Sequence, residues 1–101
     1  MKIQECYKEL RKVHLTKSGY HFSRHFLGKN RSYYSVLVAR DSEPSIEAMT
    51  TLYYSLTHQS SLLESSDSAF IIRARNKVNE LKISVSNDIQ THCYQSIGVF
   101  E

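Results

Sequence analysis

The chain has 101 residues, of which 41% are apolar and 23% are charged, with one proline, three glycines and two cysteines. This length suits one domain with a single modest core and excludes a large multi-domain enzyme. So few cysteines exclude a disulfide scaffold, and we expect the thiols of Cys6 and Cys93 to be buried. Scarce proline and glycine argue against a many-stranded β fold, which needs turn residues at each hairpin. We therefore predict an all-α fold, a compact helical bundle.

Positive charge is concentrated in the first part of the chain. Residues 1–40 contain nine basic and two acidic residues, a net charge of +7, whereas residues 41–101 contain four and eight, a net charge of −4. No apolar run approaches the roughly 18 residues that a membrane-spanning helix needs, and the N-terminal residues lack the apolar stretch of a secretory signal. We expect a soluble, cytoplasmic protein with no membrane partner.

Apolar residues recur every three or four positions in the first third of the chain, which predicts amphipathic helices. The first helix is predicted over about residues 2–14. A second, short helix follows Ser18 as its N-cap and ends at Gly28, and a third begins at about Asn30 or Arg31, so that the turn between them is two or three residues long. The apolar stripes of the three helices are Ile3, Cys6, Tyr7, Leu10 and Val13; Phe22, Phe26 and Leu27; and Tyr34 and Leu37, with Val38 as an open third member.

A fourth helix is predicted over about residues 46–57. Pro44 disfavours helical geometry at the residue before it, Ser45 can cap the amides that follow, and Glu47 suits the helix dipole. The Ser-rich residues 58–68 are predicted as a linker, with a frayed extension of the fourth helix as an open alternative. The buried stripe is predicted to be Ile46, Met49, Leu52, Tyr53 and Leu56.

The last segment, residues 69–101, carries apolar residues at alternating spacings of three and four. This pattern predicts a helix that begins near Asp67 or Ser68 and reaches at least Leu81. Residues 81–86 also alternate with a period of two, which would suit a short strand, although helical spacing resumes beyond them. Both continuations stay open. The apolar positions are Ile71, Ala74, Val78, Leu81 and Val85, followed by Ile89 and Cys93.

Catalytic and metal-binding patterns are weak. His21 and His25 stand four apart on a predicted helix, a spacing that can present two imidazoles to one metal ion, but no third ligand follows at a recognisable interval. The chain has no glycine-rich phosphate loop and no strand-to-helix nucleophile elbow. We expect no enzyme activity, no cofactor and no metal site, and a small enzyme or metal protein stands only as a third hypothesis.

Four features occur in one register over residues 18–57. They are a small residue in the second helix, a glycine after it, two apolar residues in the third helix, and a Pro-Ser-aliphatic-Glu segment before the fourth. With this set the segment resembles the Cro/λ-repressor-like helix-turn-helix family, in its phage or mobile-element forms. The resemblance implies a DNA-binding domain over residues 1–57. The matching residues are Ser23, Gly28, Tyr34 with Leu37, and Pro44, Ser45, Ile46 and Glu47.

The resemblance further implies a transcriptional regulator, in particular a repressor that binds an operator in double-stranded DNA through the helix starting near Asn30. Small or polar side chains on the outward face of that helix suit base edges in the major groove, where Arg31 could bond guanine. Basic residues around it would neutralise phosphates, and Tyr33 would press on a sugar-phosphate edge. The predicted base contacts are Asn30, Arg31, Ser32, Ser35 and Val36, and the predicted phosphate contacts are Lys17, Arg24, Lys29, Tyr33 and Arg40.

The C-terminal helix exceeds what the domain needs for closure. Because helix-turn-helix proteins reach two half-sites as dimers, we expect a homodimer, with the alternative that this helix packs on the core of its own chain. A second hypothesis for the function keeps the helix-turn-helix architecture but turns its face to a protein, as an inhibitor or adaptor of a mobile element. The predicted dimer interface is Ile71, Ala74, Val78, Leu81 and Val85.

Overall fold

The computed structural model describes residues 2–64 and 68–98, with side chains as far as Tyr94. These residues form helices and no strand, so the all-α prediction is confirmed and the short strand near residues 81–86 is wrong. None of the helices in this part of the chain has both the length and the apolar character needed to cross a membrane. The helices are α1 (Ile3–Lys12), α2 (Gly19–His25), α3 (Tyr33–Ala39), α4 (Ile46–Leu63) and α5 (Ala69–Gly98).

Short-range sequence signals set several helix ends. The hydroxyl of Ser18 accepts a hydrogen bond from the amide of His21 at 3.1 Å, and the hydroxyl of Ser45 accepts one from the amide of Ala48 at 3.1 Å. First-turn amides have no partner within a helix, so these serines act as N-caps. Both predicted serine caps are therefore confirmed.

One hydrophobic core joins α1, α2, α4 and α5. Leu10 of α1, Phe22 of α2, Leu52 of α4 and Val78 of α5 belong to it, and each is at most 1% exposed. Burying an aliphatic or aromatic side chain of this size contributes roughly 1.5–3 kcal/mol. The core therefore holds the first and last thirds of the chain in one unit.

The first half of the segment predicted as a linker is helical, which is the alternative, an extension of the fourth helix, that the sequence left open. Residues 58–63 continue α4, where the Ser60 hydroxyl donates to Asn79 Oδ1 of α5 at 2.9 Å and Leu63 packs against the core. A Ser-rich run resembles a loop in sequence, but here a serine faces the neighbouring helix with its hydrogen bond satisfied. Residues 65–67, in the second half of the predicted linker, lie outside the described residues.

Helix α5 packs against its own chain, antiparallel to α4. Four of the five residues predicted as a dimer interface, Ala74, Val78, Leu81 and Val85, are at most 4% exposed, and Ile71 is half-buried. Side chains buried within one chain leave no surface for a partner, so the prediction of a homodimer through these residues is wrong. The regularly spaced apolar residues of α5 pack in the core of their own chain, which is the alternative that the sequence left open.

Two apolar positions differ from the prediction. Ile46 is 37% exposed because it occupies the first position of α4, and Ala48 is buried in its place. Cys93 is exposed where α5 extends beyond its contacts with the core, so the expectation that both thiols are buried is wrong for this residue. Cys6 is buried as expected, and burial raises the pKa of its thiol to about 12.

Candidate nucleic-acid interface

A buried serine joins α2 to α3. Ser23 is fully buried, and its Oγ donates to the carbonyl of Gly19 at 2.8 Å and accepts from the backbone amide of Tyr34 at 2.9 Å. The Tyr34 amide lies in the first turn of α3, where amides have no partner within the helix. Ser23 therefore satisfies that amide and fixes the start of α3 against the middle of α2.

Two side chains anchor α3 to the core, as predicted. The ring of Tyr34 lies 4.6 Å from that of Tyr7 and 5.3 Å from that of Phe22, measured between centroids, and Leu37 is 8% exposed. Burial raises the pKa of the Tyr34 hydroxyl, and the neighbouring Tyr7 and Cys6 raise it further. These contacts decide which face of α3 points inward.

The connection between α2 and α3 requires a glycine. Gly28 has a positive φ of 64°, and a Cβ atom at this position would lie 3.0 Å from Cγ2 of Thr51 in α4. Both the left-handed backbone and the close approach disfavour any larger residue. The connection covers residues 26–32, however, and is therefore longer than the predicted turn of two or three residues.

The start of α3 also differs from the prediction, because the helix begins at Tyr33 and not at Asn30 or Arg31. Asn30 Oδ1 accepts hydrogen bonds from the amide of Ser32 at 3.1 Å and from its hydroxyl at 3.0 Å. A side chain that bonds the backbone two residues later competes with helix formation. Asn30, Arg31 and Ser32 consequently lie in the turn that leads into α3.

All five predicted base-contacting residues are exposed. Ser35 and Val36 lie on one face of α3, and Ser32, the N-cap residue, precedes them by three and four positions, the spacing of neighbours on a helix. Ala39 is exposed on the same face. Ala39 is not among the predicted contacts, although its spacing of four from Ser35 is the signal that identifies it. We call the surface formed by Arg31, Ser32, Ser35, Val36 and Ala39 the α3 face.

The predicted phosphate-contacting residues divide into two groups. Lys17, Arg24 and Arg40 are exposed. Lys29 instead forms an ion pair with Glu47 of α4, with 3.1 Å between Nζ and Oε1. Tyr33 is half-buried, and its hydroxyl accepts a hydrogen bond from the amide of Ser45 at 3.1 Å, which closes the connection to α4. Its contact with DNA stays a prediction.

The α2–α3 region, residues 19–40, carries basic side chains and no acidic side chain in its sequence. No aspartate or glutamate occurs between Glu9 and Asp41. The carboxylate of Glu47 is added from α4 through the ion pair with Lys29, a contact that sequence analysis missed because the two residues are 18 positions apart. The region thus offers an anionic partner a basic surface whose charge Glu47 reduces at Lys29.

Two histidines, His21 and His25, lie on α2. The rings of His21 and His25 stack with their centroids 4.4 Å apart, and His21 Nδ1 lies 2.8 Å from the Thr16 hydroxyl. Burial lowers the pKa of His21, and the neighbouring His25 and Lys17 lower it further. No group of three or more His, Cys, Asp or Glu side chains that could hold a metal ion occurs among the residues described.

Comparison with known proteins places the chain in a family. A family model described as DUF6626, a family of unknown function, matches residues 3–97, a range that contains α1 to α4 and all but the last residue of α5. The chain belongs to the DUF6626 family. No curated protein and no solved structure matches it. This match does not connect the chain to the Cro/λ-repressor-like family, so that resemblance stays a prediction.

Proposed function

We propose that this DUF6626 protein is a sequence-specific DNA-binding transcriptional regulator, a repressor that acts in the cytoplasm by occupying an operator. The α3 face and the turn before it would enter the major groove of double-stranded DNA. The observation that carries the proposal is the exposed α3 face itself, held on a helix pair that Ser23, Gly28 and Tyr34 fix to the core.

The size and chemistry of the α3 face suit base edges. The major groove is about 12 Å wide and admits one helix, and only short side chains let that helix approach the bases closely. Ser32, Ser35, Val36 and Ala39 are all short, and none is charged. Arg31 precedes them and carries a guanidinium that can bond both acceptors of a guanine.

Charge around the α3 face suits the DNA backbone. Lys17, Arg24 and Arg40 are exposed and would contact phosphates, which supplies affinity without sequence information. Binding of two half-sites would need a second copy of the chain, held through a surface other than the buried face of α5.

The experiment measures fluorescence anisotropy of a labelled random-sequence duplex with the full chain. Affinity should fall steeply between about 50 and 200 mM salt, because bound phosphates release counterions. Arg24→Ala, which removes a proposed phosphate contact, should weaken binding and reduce the slope of log affinity against log salt by about one unit, and Arg73→Ala, which removes the same charge from the exposed surface of α5, should leave both near the wild-type values. The proposal fails if the chain shows no salt-dependent binding, or if the two variants behave alike.

A further inference from the structure

Contacts within the chain limit what the hydroxyl groups of the α3 face can donate. The Ser32 hydroxyl donates to Asn30 Oδ1 at 3.0 Å, and the Ser35 hydroxyl donates to the carbonyl of Ser32 at 2.9 Å. A serine hydroxyl has one proton and two lone pairs. Both serines therefore present acceptors, and not donors, to a partner outside the chain.

An apolar side chain occupies the middle of the same face. Val36 is 39% exposed, although the adjacent Leu37 is buried as an anchor of α3. Ala39 follows one turn later and is also exposed. The helical part of the α3 face thus combines apolar groups with a hydrogen-bond acceptor and carries no formal charge.

This combination matches one kind of base pair. In the major groove an A·T pair presents the amino group of adenine, which donates, and the 5-methyl group of thymine, which is apolar. A G·C pair also presents a donor, the amino group of cytosine, but it carries no methyl group for Val36, and the N7 and O6 atoms of its guanine are acceptors that the serine acceptors cannot bond. Arg31 can serve guanine, but it lies before the helix.

We infer that the body of α3 binds an A·T base pair, with Val36 in contact with the thymine 5-methyl group and a serine hydroxyl accepting from the adenine amino group. This inference rests on the proposed function and deepens it, because it names a base pair and the atom by which it is recognised. Val36 is then a specificity-determining residue, and its exposure serves recognition and not folding.

The test uses the full chain and a DNA site enriched by repeated binding to a random-sequence duplex pool. Each thymine of that site is replaced in turn by deoxyuridine, which removes the 5-methyl group alone. At least one replacement should weaken binding by about fourfold, the effect expected for one buried methyl-sized group. Val36→Ala should abolish this dependence on the methyl group. Val38→Ala changes an equally apolar side chain of α3 that is 42% exposed but points away from Val36, because residues two apart lie on nearly opposite sides of a helix, and it should keep the full dependence.

The outcomes separate this inference from the proposed function. A chain that binds no duplex overturns the proposed function, and the inference with it. Binding without enrichment of any site overturns the sequence specificity of the proposed function, and the inference with it. An enriched site in which every thymine tolerates the replacement overturns the inference alone. The inference also fails if Val36→Ala keeps the wild-type dependence on the methyl group. Circular dichroism of both valine variants checks that each is folded.

Discussion

The hydroxyl oxygen of Ser23 and the backbone nitrogen of Tyr34 lie 2.9 Å apart, and this buried hydrogen bond joins α2 directly to α3. An alanine would fill nearly the same space but would leave the Tyr34 amide without its partner. A larger residue would push the two helices apart. Serine is therefore small enough for the helix contact and polar enough to satisfy the amide, and the position of the α3 face depends on it.

The first prediction concerns this bond. Ser23→Ala should lower the free energy of unfolding by about 1–3 kcal/mol, because a buried amide is left unsatisfied. Ser35→Ala is the matched control, since it removes an exposed hydroxyl whose bond to the carbonyl of Ser32 can be replaced by water. Urea denaturation followed by circular dichroism measures both variants. Equal losses in the two variants would show that the Ser23 bond contributes nothing particular.

Much of the fold could be predicted because it depends on signals between residues close in sequence. Helix periodicity and the serine caps depend on residues within one or two turns, and so the five-helix order and the inward positions of Tyr34 and Leu37 follow from sequence. The small residue at position 23 and the glycine at position 28 also have the roles that the motif requires, because each is defined by a close contact that tolerates no larger side chain.

Features that depend on distant partners could not be predicted in the same way. The helical state of residues 58–63 depends on the contact of Ser60 with Asn79, and the pairing of Lys29 depends on Glu47. The late start of α3 results from two competing local structures, a helix and an Asn30 turn, which a cap assignment alone does not distinguish. The buried face of α5 has the same spacing as a dimer interface, and only the packing against α4 decides between them.

A second prediction follows from Cys6. Burial raises the pKa of its thiol from 9.0 to about 12, so at pH values between these two the folded chain keeps a proton that the unfolded chain loses. Stability is therefore fully present below pH 9 and decreases as the pH rises above it. Between about pH 8 and 10 the wild-type chain should lose about 1.4 kcal/mol more than Cys6→Ala does, measured by urea denaturation at both pH values. A loss that is the same in both chains would contradict this assignment.

The third prediction concerns the stacked histidines. The pKa of His21 lies below its ordinary value of 6.5, chiefly through burial and then through His25 and Lys17. The folded chain thus binds a proton at His21 less readily than the unfolded chain, and this residue's contribution to stability is lost as the pH falls below about 6.5. His25→Ala should raise the pKa of His21 toward 6.5, whereas Arg24→Ala, which changes a group outside these causes, should not.

A titration of the imidazole proton resonances by NMR measures this shift directly. It assigns a pKa to His21 in the wild-type chain and in each variant. A wild-type value at or above 6.5 would show that burial does not control this group. An unchanged value in His25→Ala would show that the ring stack has no electrostatic effect on it.

The last prediction joins the Lys29–Glu47 pair to the proposed function. Glu47→Gln removes the carboxylate that pairs with Lys29, and the Lys29 ammonium can then pair with a DNA phosphate. Affinity for duplex DNA should rise severalfold, and the slope of log affinity against log salt should steepen by about one unit. Stability should change little, because the Glu47 side chain is 78% exposed and such surface pairs contribute about 0–1 kcal/mol.

Two controls test whether the gain in affinity comes from Lys29. Glu64→Gln removes the same charge near the other end of α4 and should leave the slope unchanged, and Lys29→Ala added to Glu47→Gln should abolish the gain. If Glu47→Gln and Glu64→Gln raise affinity equally, the effect comes from net charge alone and Lys29 does not contact the phosphate backbone.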